Sequence, residues 1–308
     1  MPDTASLVAP APVVRRGIVH DLPFDQYLDG PEVSKSSLWT LHTKSPAHAR
    51  VAKEESNAMK LGSAIHCAVL EPDEFASRFH RGPDDRRGNK WKEALEEYGD
   101  RLLTSGDYDE ALAVRDALSK HPTIRRLTGA GTVREVSAFA DDPVTGLACR
   151  IRPDAFAPGL SMLVDLKTTT DARASEFARR VGQLGYHVQE AFYTDIWREA
   201  GSEVQSFVFI TAETSAPYGF QVFELTPDAV EEGRAIARKA LDRWKQCVER
   251  NEWPGYPTER AEIANFIKDN RVRNVVITSG DMHALADYWN GNTAQGLKAA
   301  AAAKLFGR

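Results

Sequence analysis

An acid and a base stand two positions apart at the end of one apolar run. Asp165 and Lys167 follow residues 162–164, which are Met, Leu and Val. Successive side chains of a strand point to opposite faces, so the carboxylate and the ammonium share one face while Leu166 points to the other. Such a pair can hold a divalent cation and orient or deprotonate a water. Taken alone, this spacing more often belongs to a surface ion pair than to a functional site.

A second carboxylate belongs to the preceding predicted strand. Asp154 lies at or near the end of that strand, and a short turn joins it to the strand that carries Asp165. Hairpin-linked strands can bring both carboxylates to the same end of a sheet. Two carboxylate oxygens and a main-chain carbonyl suit Mg²⁺ or Mn²⁺, which lower the pKa of water and offset charge on phosphorus.

The elements that must position these groups follow from periodicity and capping. One helix begins at a serine cap near Ser34 or Ser36 and is interrupted around Pro46, and a second stops at Pro72 and carries His66. The pattern predicts a mixed α/β fold with a small central sheet flanked by helices. The remaining predicted helices span residues 90–103, 107–120, 175–200 and 227–250, and the strands span 132–140, 146–158, 161–169, 206–213 and 219–225.

Four short motifs occur in a fixed order along the chain: GSAIH ending at His66, RPD ending at Asp154, DLK at residues 165–167 and QEAFY at residues 189–193. This order resembles the RecB-like branch of the PDDEXK nuclease superfamily. Within that branch, the stretches SKSSLWTLHTKSPAHA, LGSAIHCAVLEPDEF and NEWPGY are most similar to the RecE-type exonuclease (exonuclease VIII) domain. The resemblance implies a restriction-endonuclease-like PDDEXK core over residues 18–256, after a loose segment at 1–17.

The resemblance also implies a metal site. His66, Asp154 and Asp165 would ligate a divalent metal together with the main-chain carbonyl of Leu166, and Lys167 would be the catalytic lysine. The expected cofactor is Mg²⁺, for which Mn²⁺ would substitute. A histidine on an apolar helix face is by itself more often a core residue, so the role of His66 depends on the ordered set of motifs.

Three further residues are carried over from the family. Gln189 and Tyr193, four apart and therefore on one helix face, would contact DNA or steady the catalytic groups, although both also fit an ordinary helix face. Glu135 would lie near a second metal. Its alternative role is an ion pair with one of the nearby arginines, Arg134, Arg150 or Arg152.

The function implied by the resemblance is a Mg²⁺-dependent exodeoxyribonuclease that degrades double-stranded DNA from its ends. Polarity would be 5′ to 3′, leaving 3′ single strands for phage-type DNA recombination with a single-strand annealing protein, and a ring-shaped homo-oligomer is implied. Two alternatives stay open: a single-strand or structure-specific endonuclease or repair nuclease on the same core, and a catalytically inactive DNA-binding protein.

The composition of the chain excludes some of the possible types of nuclease. The 308 residues carry a net charge of −5, which argues mildly against a general nucleic-acid coat, although basic residues cluster between positions 78 and 92. Three scattered cysteines are fewer than the four that an iron–sulfur cluster needs, and no GxxxxGK[ST] loop supplies an ATP motor. Neither a signal peptide nor a membrane span is expected, which favours the cytoplasm.

The end of the chain carries a second, local resemblance. The motif SGDMH, with Asp281 and His283, is similar to a fragment of the PhoD-like alkaline phosphatases, in which such residues help to hold metals. Residues 257–308 are too few to build that core alone. We expect a helix–strand–helix appendage there, and a phosphatase site is the weakest of the functional alternatives.

Overall fold

Side-chain caps start most of the long helices in the computed structural model, which describes residues 14–51 and 56–256. Ser34, Ser56, Thr104 and Thr226 each accept a hydrogen bond from the main-chain N–H three residues ahead, as N-cap residues do. The helices are α1 Phe24–Leu28, α2 Lys35–Thr43, α3 Pro46–Ala49, α4 Asn57–Leu70, α5 Phe75–Arg78, α6 Asn89–Tyr98, α7 Ser105–Ser119, α8 Pro122–Thr128, α9 Ala174–Leu184, α10 Tyr186–Glu199 and α11 Pro227–Arg250.

The strands of the described residues form three sheets. One sheet has the order β1-β6-β7-β2, a mixed sheet has the order β11-β10-β9-β8-β5, and β3 pairs with β4 alone. The strands are β1 Gly17–Val19, β2 Val33–Ser34, β3 His80–Arg81, β4 Leu102–Leu103, β5 Val133–Arg134, β6 Ser137–Asp141, β7 Ala148–Ile151, β8 Ala155–Ala157, β9 Met162–Thr169, β10 Ser206–Glu213 and β11 Phe220–Phe223.

One long hairpin is shared between the two larger sheets. Its outer half pairs β6 with β7, and its inner half pairs β5 with β8. Val133 lies opposite Phe156 and Ala138 lies opposite Ile151, so both halves keep one register across the interruption. The hairpin therefore bends without slipping, and the residues at the bend belong to neither sheet.

The parallel pair β9 and β10 forms the centre of the mixed sheet and is buried on both faces. Because strand side chains alternate, Leu163 and Phe207 pack with α10 on one face, whereas Val164 and Val208 pack with α4 and α7 on the other. Helices α4 and α10 thus cover opposite faces. An apolar run without strict alternation is typical of such doubly buried strands.

Most of the predicted elements are confirmed, including the mixed α/β class with a mixed sheet flanked by helices. Several expectations were wrong in detail. The strands expected over 132–140 and 146–158 each divide in two, into β5 and β6 and into β7 and β8. The helix expected over 175–200 divides at Gly185, whose φ of 68° interrupts a right-handed helix. The helix expected over 90–103 ends at Tyr98, and β4 follows it. Asp165 lies within β9 and does not end it, and Asp154 precedes β8.

The domain limits stay a prediction. The chain divides into two units after Gly255, and each of the helices that the structure describes is too short or too polar to cross a membrane. The predicted appendage at 257–308, with Asp281 and His283, lies outside the described residues, as does most of the loose segment at 1–17.

Candidate active site

Three potential metal ligands converge at the bend of the long hairpin. One nitrogen of His66 and one carboxylate oxygen each of Glu135 and Asp154 lie within 4.8 Å of one another. Nδ1 of His66 is 3.3 Å from Oδ2 of Asp154. That oxygen also accepts a 2.6 Å hydrogen bond from the main-chain N–H of Leu166, which fixes the carboxylate against β9.

The backbone at the bend explains why two acids meet there. The unbroken register places Glu135 opposite Asp154, and the N–H of Glu135 donates a 3.0 Å hydrogen bond to the carbonyl of Asp154. Glu135 has a φ of 48°, which is uncommon for a residue with a side chain and turns the strand toward the other sheet. Pro153 follows Arg152 on the partner strand and donates no main-chain hydrogen bond.

Helix α4 brings His66 to this bend. Gly62 and His66 are four residues apart and share one helix face. A Cβ atom at Gly62 would lie 3.6 Å from Oγ1 of Thr168 in β9, so this face of α4 lies close to the strand. Ala64, Ile65 and Ala68 anchor the same helix in the core. Because Gly62 lets this face of α4 lie against β9, His66, one turn later on the same face, is placed beside Asp154.

The acid and base of β9 interact with each other and with α10 on one face of the sheet. The ammonium of Lys167 is ion-paired with Oδ1 of Asp165, and the side-chain amide of Gln189 donates to Oδ2. The ring of Tyr186 lies 5.0 Å from the ammonium, within the range of a cation–π contact. Asp165 is thus held from both sides, and it lies outside the His66, Glu135 and Asp154 cluster.

Tyr193 lies beside the site and does not enter the cluster. Its ring packs edge-on against Phe207 at 6.3 Å, and its hydroxyl interacts with the main chain of Arg152. Burial, followed by the charges of Tyr27 and Asp165, keeps the pKa of its phenol well above the ordinary value. Tyr193 is therefore positioned to stabilise the bend through the main chain of Arg152.

Two arginines flank Asp154, and their contacts differ. Arg152 donates a 2.9 Å hydrogen bond from Nε to Oε2 of Glu135, and its Nη1 donates to the carbonyl of Leu22 and to the hydroxyl of Ser137. Arg150 donates instead to three main-chain carbonyls at the end of α1. The ion pair expected as an alternative for Glu135 is present, and the same carboxylate also joins the ligand cluster.

Burial and neighbouring charge set the protonation of the cluster. Burial opposes a charge on His66, but Asp154 outweighs it and raises the pKa of the imidazole. Burial would raise the pKa of Asp154, yet the charge of His66 brings it below the ordinary value. Burial and then the charge of Asp154 raise the pKa of both Asp165 and Glu135. The negative charges of these carboxylates repel one another, and a bound cation would reduce that repulsion.

For Lys167, the nearby negative charges outweigh the effect of burial on the pKa. Burial alone would lower the pKa of Lys167, but the charges of Asp165 and Asp154 raise it. The ammonium is therefore the cation that neutralises this part of the site in the structure.

The donor set fits a hard divalent cation. Two carboxylates and an imidazole face one point, and oxygen-rich sites of this kind suit Mg²⁺ or Mn²⁺. Asp165 is buried beside the cluster, and its Oδ1 is paired with the ammonium of Lys167. The N–H and carbonyl of a strand residue point to the same side, so the carbonyl of Leu166 faces Asp154.

The comparisons with known proteins address the fold. Residues 38–269 match the family described as a PDDEXK-like domain of unknown function (DUF3799). The chain belongs to this PDDEXK-like family. A crystal structure from Eubacterium rectale, named as a "putative exonuclease", has a TM-score of 0.55 and 18% identity, covering 85% of this chain and 100% of that one. The PDDEXK core that the motif order predicted is confirmed.

Two further similarities are weaker. A phage-related exonuclease structure from Haemophilus somnus 129PT has 11% identity and a TM-score of 0.34, covering 73% of this chain and 99% of that one. Alkaline phosphatase D of Bacillus subtilis (strain 168) is 47% identical over 34 residues, which are 11% of this chain and 6% of that protein. The chain thus spans only a small part of the phosphatase.

Within the PDDEXK-like domain, the structure brings together most of the predicted site residues and adds one. Tyr186, which contacts Lys167, was missed. It precedes Gln189 by three positions on the same helix face, and that spacing was the available signal. The individual roles of the predicted residues stay predictions.

Proposed function

We propose that this PDDEXK-like protein is a divalent-metal-dependent nuclease that hydrolyses double-stranded DNA from its ends. One observation carries the proposal: a cluster of His66, Glu135 and Asp154 lies beside an Asp165–Lys167 pair on the neighbouring strand. An isolated ion pair would not require a converging ligand cluster one strand away. This arrangement supplies both a cation site and an ammonium that can donate hydrogen bonds within one small region.

The chemistry assigns a distinct task to each side chain. His66, Glu135, Asp154 and Asp165, with the carbonyl of Leu166, would hold Mg²⁺, for which Mn²⁺ would substitute. When bound, the cation neutralises charge that builds on the phosphate and makes water more acidic.

The remaining side chains donate hydrogen bonds to the reacting groups or hold the metal ligands in place. Lys167 donates hydrogen bonds to the attacking water or to a phosphate oxygen, because it points with Asp165 to one face of β9. Gln189 donates to Oδ2 of Asp165, while Oδ1 is paired with Lys167. Tyr193 steadies the main chain at Arg152, next to the bend.

The finer properties are supported by the resemblance of the sequence to RecE-type exonucleases. That resemblance supports 5′-to-3′ polarity, 3′ single-stranded products for recombination, a single-strand annealing partner and a ring-shaped homo-oligomer. We include these properties in the proposal.

Digestion of linear and covalently closed circular duplex DNA tests the proposal. Wild type with Mg²⁺ should degrade the linear form alone, EDTA should abolish cutting, and Lys167→Ala should be inactive. Lys245→Ala is the matched control, because its exposed ammonium lies on α11 near Glu249. Labels at the 5′ or 3′ end of the linear substrate report the polarity.

The other outcomes separate the alternatives. Cutting of closed circles would identify an endonuclease on the same core. DNA binding without cutting by either protein would identify an inactive DNA-binding protein. Equal activity of Lys167→Ala and wild type would remove Lys167 from the mechanism.

A further inference from the structure

The short helix α1 presents an apolar surface close to the candidate active site. Phe24 and Leu28, four residues apart on one face, are 58% and 51% exposed. An exposed phenylalanine is costly to leave in water, and its flat ring is a stacking surface. The proposed nuclease mechanism makes no use of this surface.

The ring of Phe24 is mounted on a fixed platform. It stacks on Tyr27 with ring centroids 6.1 Å apart and planes inclined by 21°. Tyr27 is buried, and the guanidinium groups of Arg150 and Arg152 lie 5.1 Å and 5.6 Å from its ring centre. Arg150 also ties down the end of α1 through the carbonyls of Tyr27, Leu28 and Gly30.

The same platform is joined to the ligand cluster. The guanidinium of Arg152 lies 5.7 Å from the ring centre of Phe24 and donates through Nε to Glu135. Glu135 is itself one of the clustered ligands. A single side chain therefore separates the exposed ring from the point at which the phosphate would be cut.

We propose that Phe24 is a stacking site for a nucleobase of the DNA end, a short distance along the strand from the scissile phosphate. The inference rests on the proposed nuclease function and deepens it by naming a substrate contact. Every base has a π-face, and aromatic side chains stack on bases without regard to sequence. Arg150, whose guanidinium donates to main-chain carbonyls, places a positive charge behind the ring, whereas the charge of Arg152 is paired with Glu135. A positive charge at this place favours a polyanion over an apolar protein surface.

Stacking at this place also has a mechanical consequence. The terminal base can stack on Phe24 through its free outer face, but any base behind it must leave the duplex stack to do so. Phe24 would then help to separate the terminal base pairs before the strand reaches Glu135 and Asp154. Leu28 extends the apolar surface by one helical turn for the next base.

Binding of an end-labelled probe tests the inference without cleavage. A linear duplex carries 2-aminopurine at the first, second or third nucleotide of its 5′ strand, and binding is measured without divalent metal. Phe24→Ala should bind about tenfold more weakly, and the emission of one probe position in the complex should differ from that in wild type, because the base loses its aromatic stacking partner. Phe24→Tyr should behave as wild type. Val144→Ala is the control, because Val144 is 67% exposed in the turn between β6 and β7.

The remaining results are each decisive. Unchanged affinity and unchanged emission in Phe24→Ala, in a protein that cuts DNA, overturn the stacking site and leave the nuclease proposal intact. A wild type that neither binds nor cuts DNA overturns both. A change of oligomeric state in Phe24→Ala, with DNA affinity unaltered, would identify the surface as a contact between copies of this chain and overturn the inference.

Discussion

The main-chain N–H of Glu135 donates a 3.0 Å hydrogen bond to the carbonyl of Asp154. This bond continues the register of the long hairpin across the gap between its two halves. Because the register is kept, the two acids face each other while the backbone changes direction. The bend that divides one hairpin between two sheets is therefore also the feature that concentrates carboxylates beside His66.

The ligand cluster predicts metal binding that depends on Asp154. Asp154→Asn should weaken Mn²⁺ binding at least about tenfold, because a neutral amide replaces the carboxylate that both His66 and Leu166 contact. Isothermal titration calorimetry measures the affinity. Asp195→Asn, a change in a carboxylate paired with Arg234, should leave it unchanged.

The same titration has a defined pH dependence. Burial opposes the charge of His66, but Asp154 raises its pKa overall, so the imidazole must lose a proton before it can bind a metal. Mn²⁺ affinity should therefore fall as the pH decreases through this raised pKa. The affinity of His66→Ala should be lower and should depend less on pH. Equal pH dependence in both proteins would place His66 outside the metal site.

Gln189 is expected to act through Asp165. Its amide donates to Oδ2 of that carboxylate, so Gln189→Ala removes one of the two contacts that hold the carboxylate and leaves the ion pair with Lys167. Loss of such a supporting hydrogen bond should lower kcat about 10- to 100-fold, with a smaller effect on KM. Gln183→Ala, on the exposed end of α9, is the control. A mutant with normal kcat and raised KM would instead assign Gln189 to DNA binding.

The sequence predicted the elements more completely than the site. Order, type and approximate limits of the main helices and strands follow from local periodicity and from a cap such as Ser34. The bend at Glu135 could not be read from the run TVREVSAFA, because a positive φ in a residue other than glycine is a consequence of tertiary context.

The contacts between the site residues also depend on tertiary structure and could not be predicted from the sequence. The pairing of Glu135 with Arg152 was one of three arginine partners that sequence spacing allowed. The contact between Tyr186 and Lys167 depends on the break at Gly185, which sets the start of α10. The order of the motifs indicated which residues belong to one site. The direct contacts between those side chains depend on tertiary packing.

Two helix glycines give a matched stability prediction. A Cβ atom at Gly233 in α11 would lie 2.2 Å from the carbonyl oxygen of His187, so Gly233→Ala forces α10 and α11 apart. We expect a loss of about 1–3 kcal/mol in the free energy of unfolding. Gly182 in α9 is exposed, with no described atom within 4 Å of the added Cβ. Gly182→Ala should stabilise by about 0.5–1 kcal/mol. Urea unfolding measures both, and equal changes would contradict the close helix contact.

Glu190 should make the stability of the protein depend on pH. Burial, followed by the charge of Glu224, raises the pKa of this carboxyl to about 8 from an ordinary value of 4.5. Its Oε2 atom has no hydrogen-bond partner among the described residues. The folded state thus favours the protonated acid, and the stabilisation present below about pH 4.5 is lost as the pH rises toward 8.

Glu190→Gln removes this titration while keeping the shape of the side chain. The variant should be more stable than wild type by about 3 kcal/mol at pH 7, and by less than about 1 kcal/mol at pH 5. Urea unfolding at the two pH values measures the difference. Glu199→Gln, an exposed carboxyl at the end of the same helix, should show no such change between them. A stability gain in Glu190→Gln that is the same at pH 5 and pH 7 would mean that Glu190 is not protonated in the folded protein.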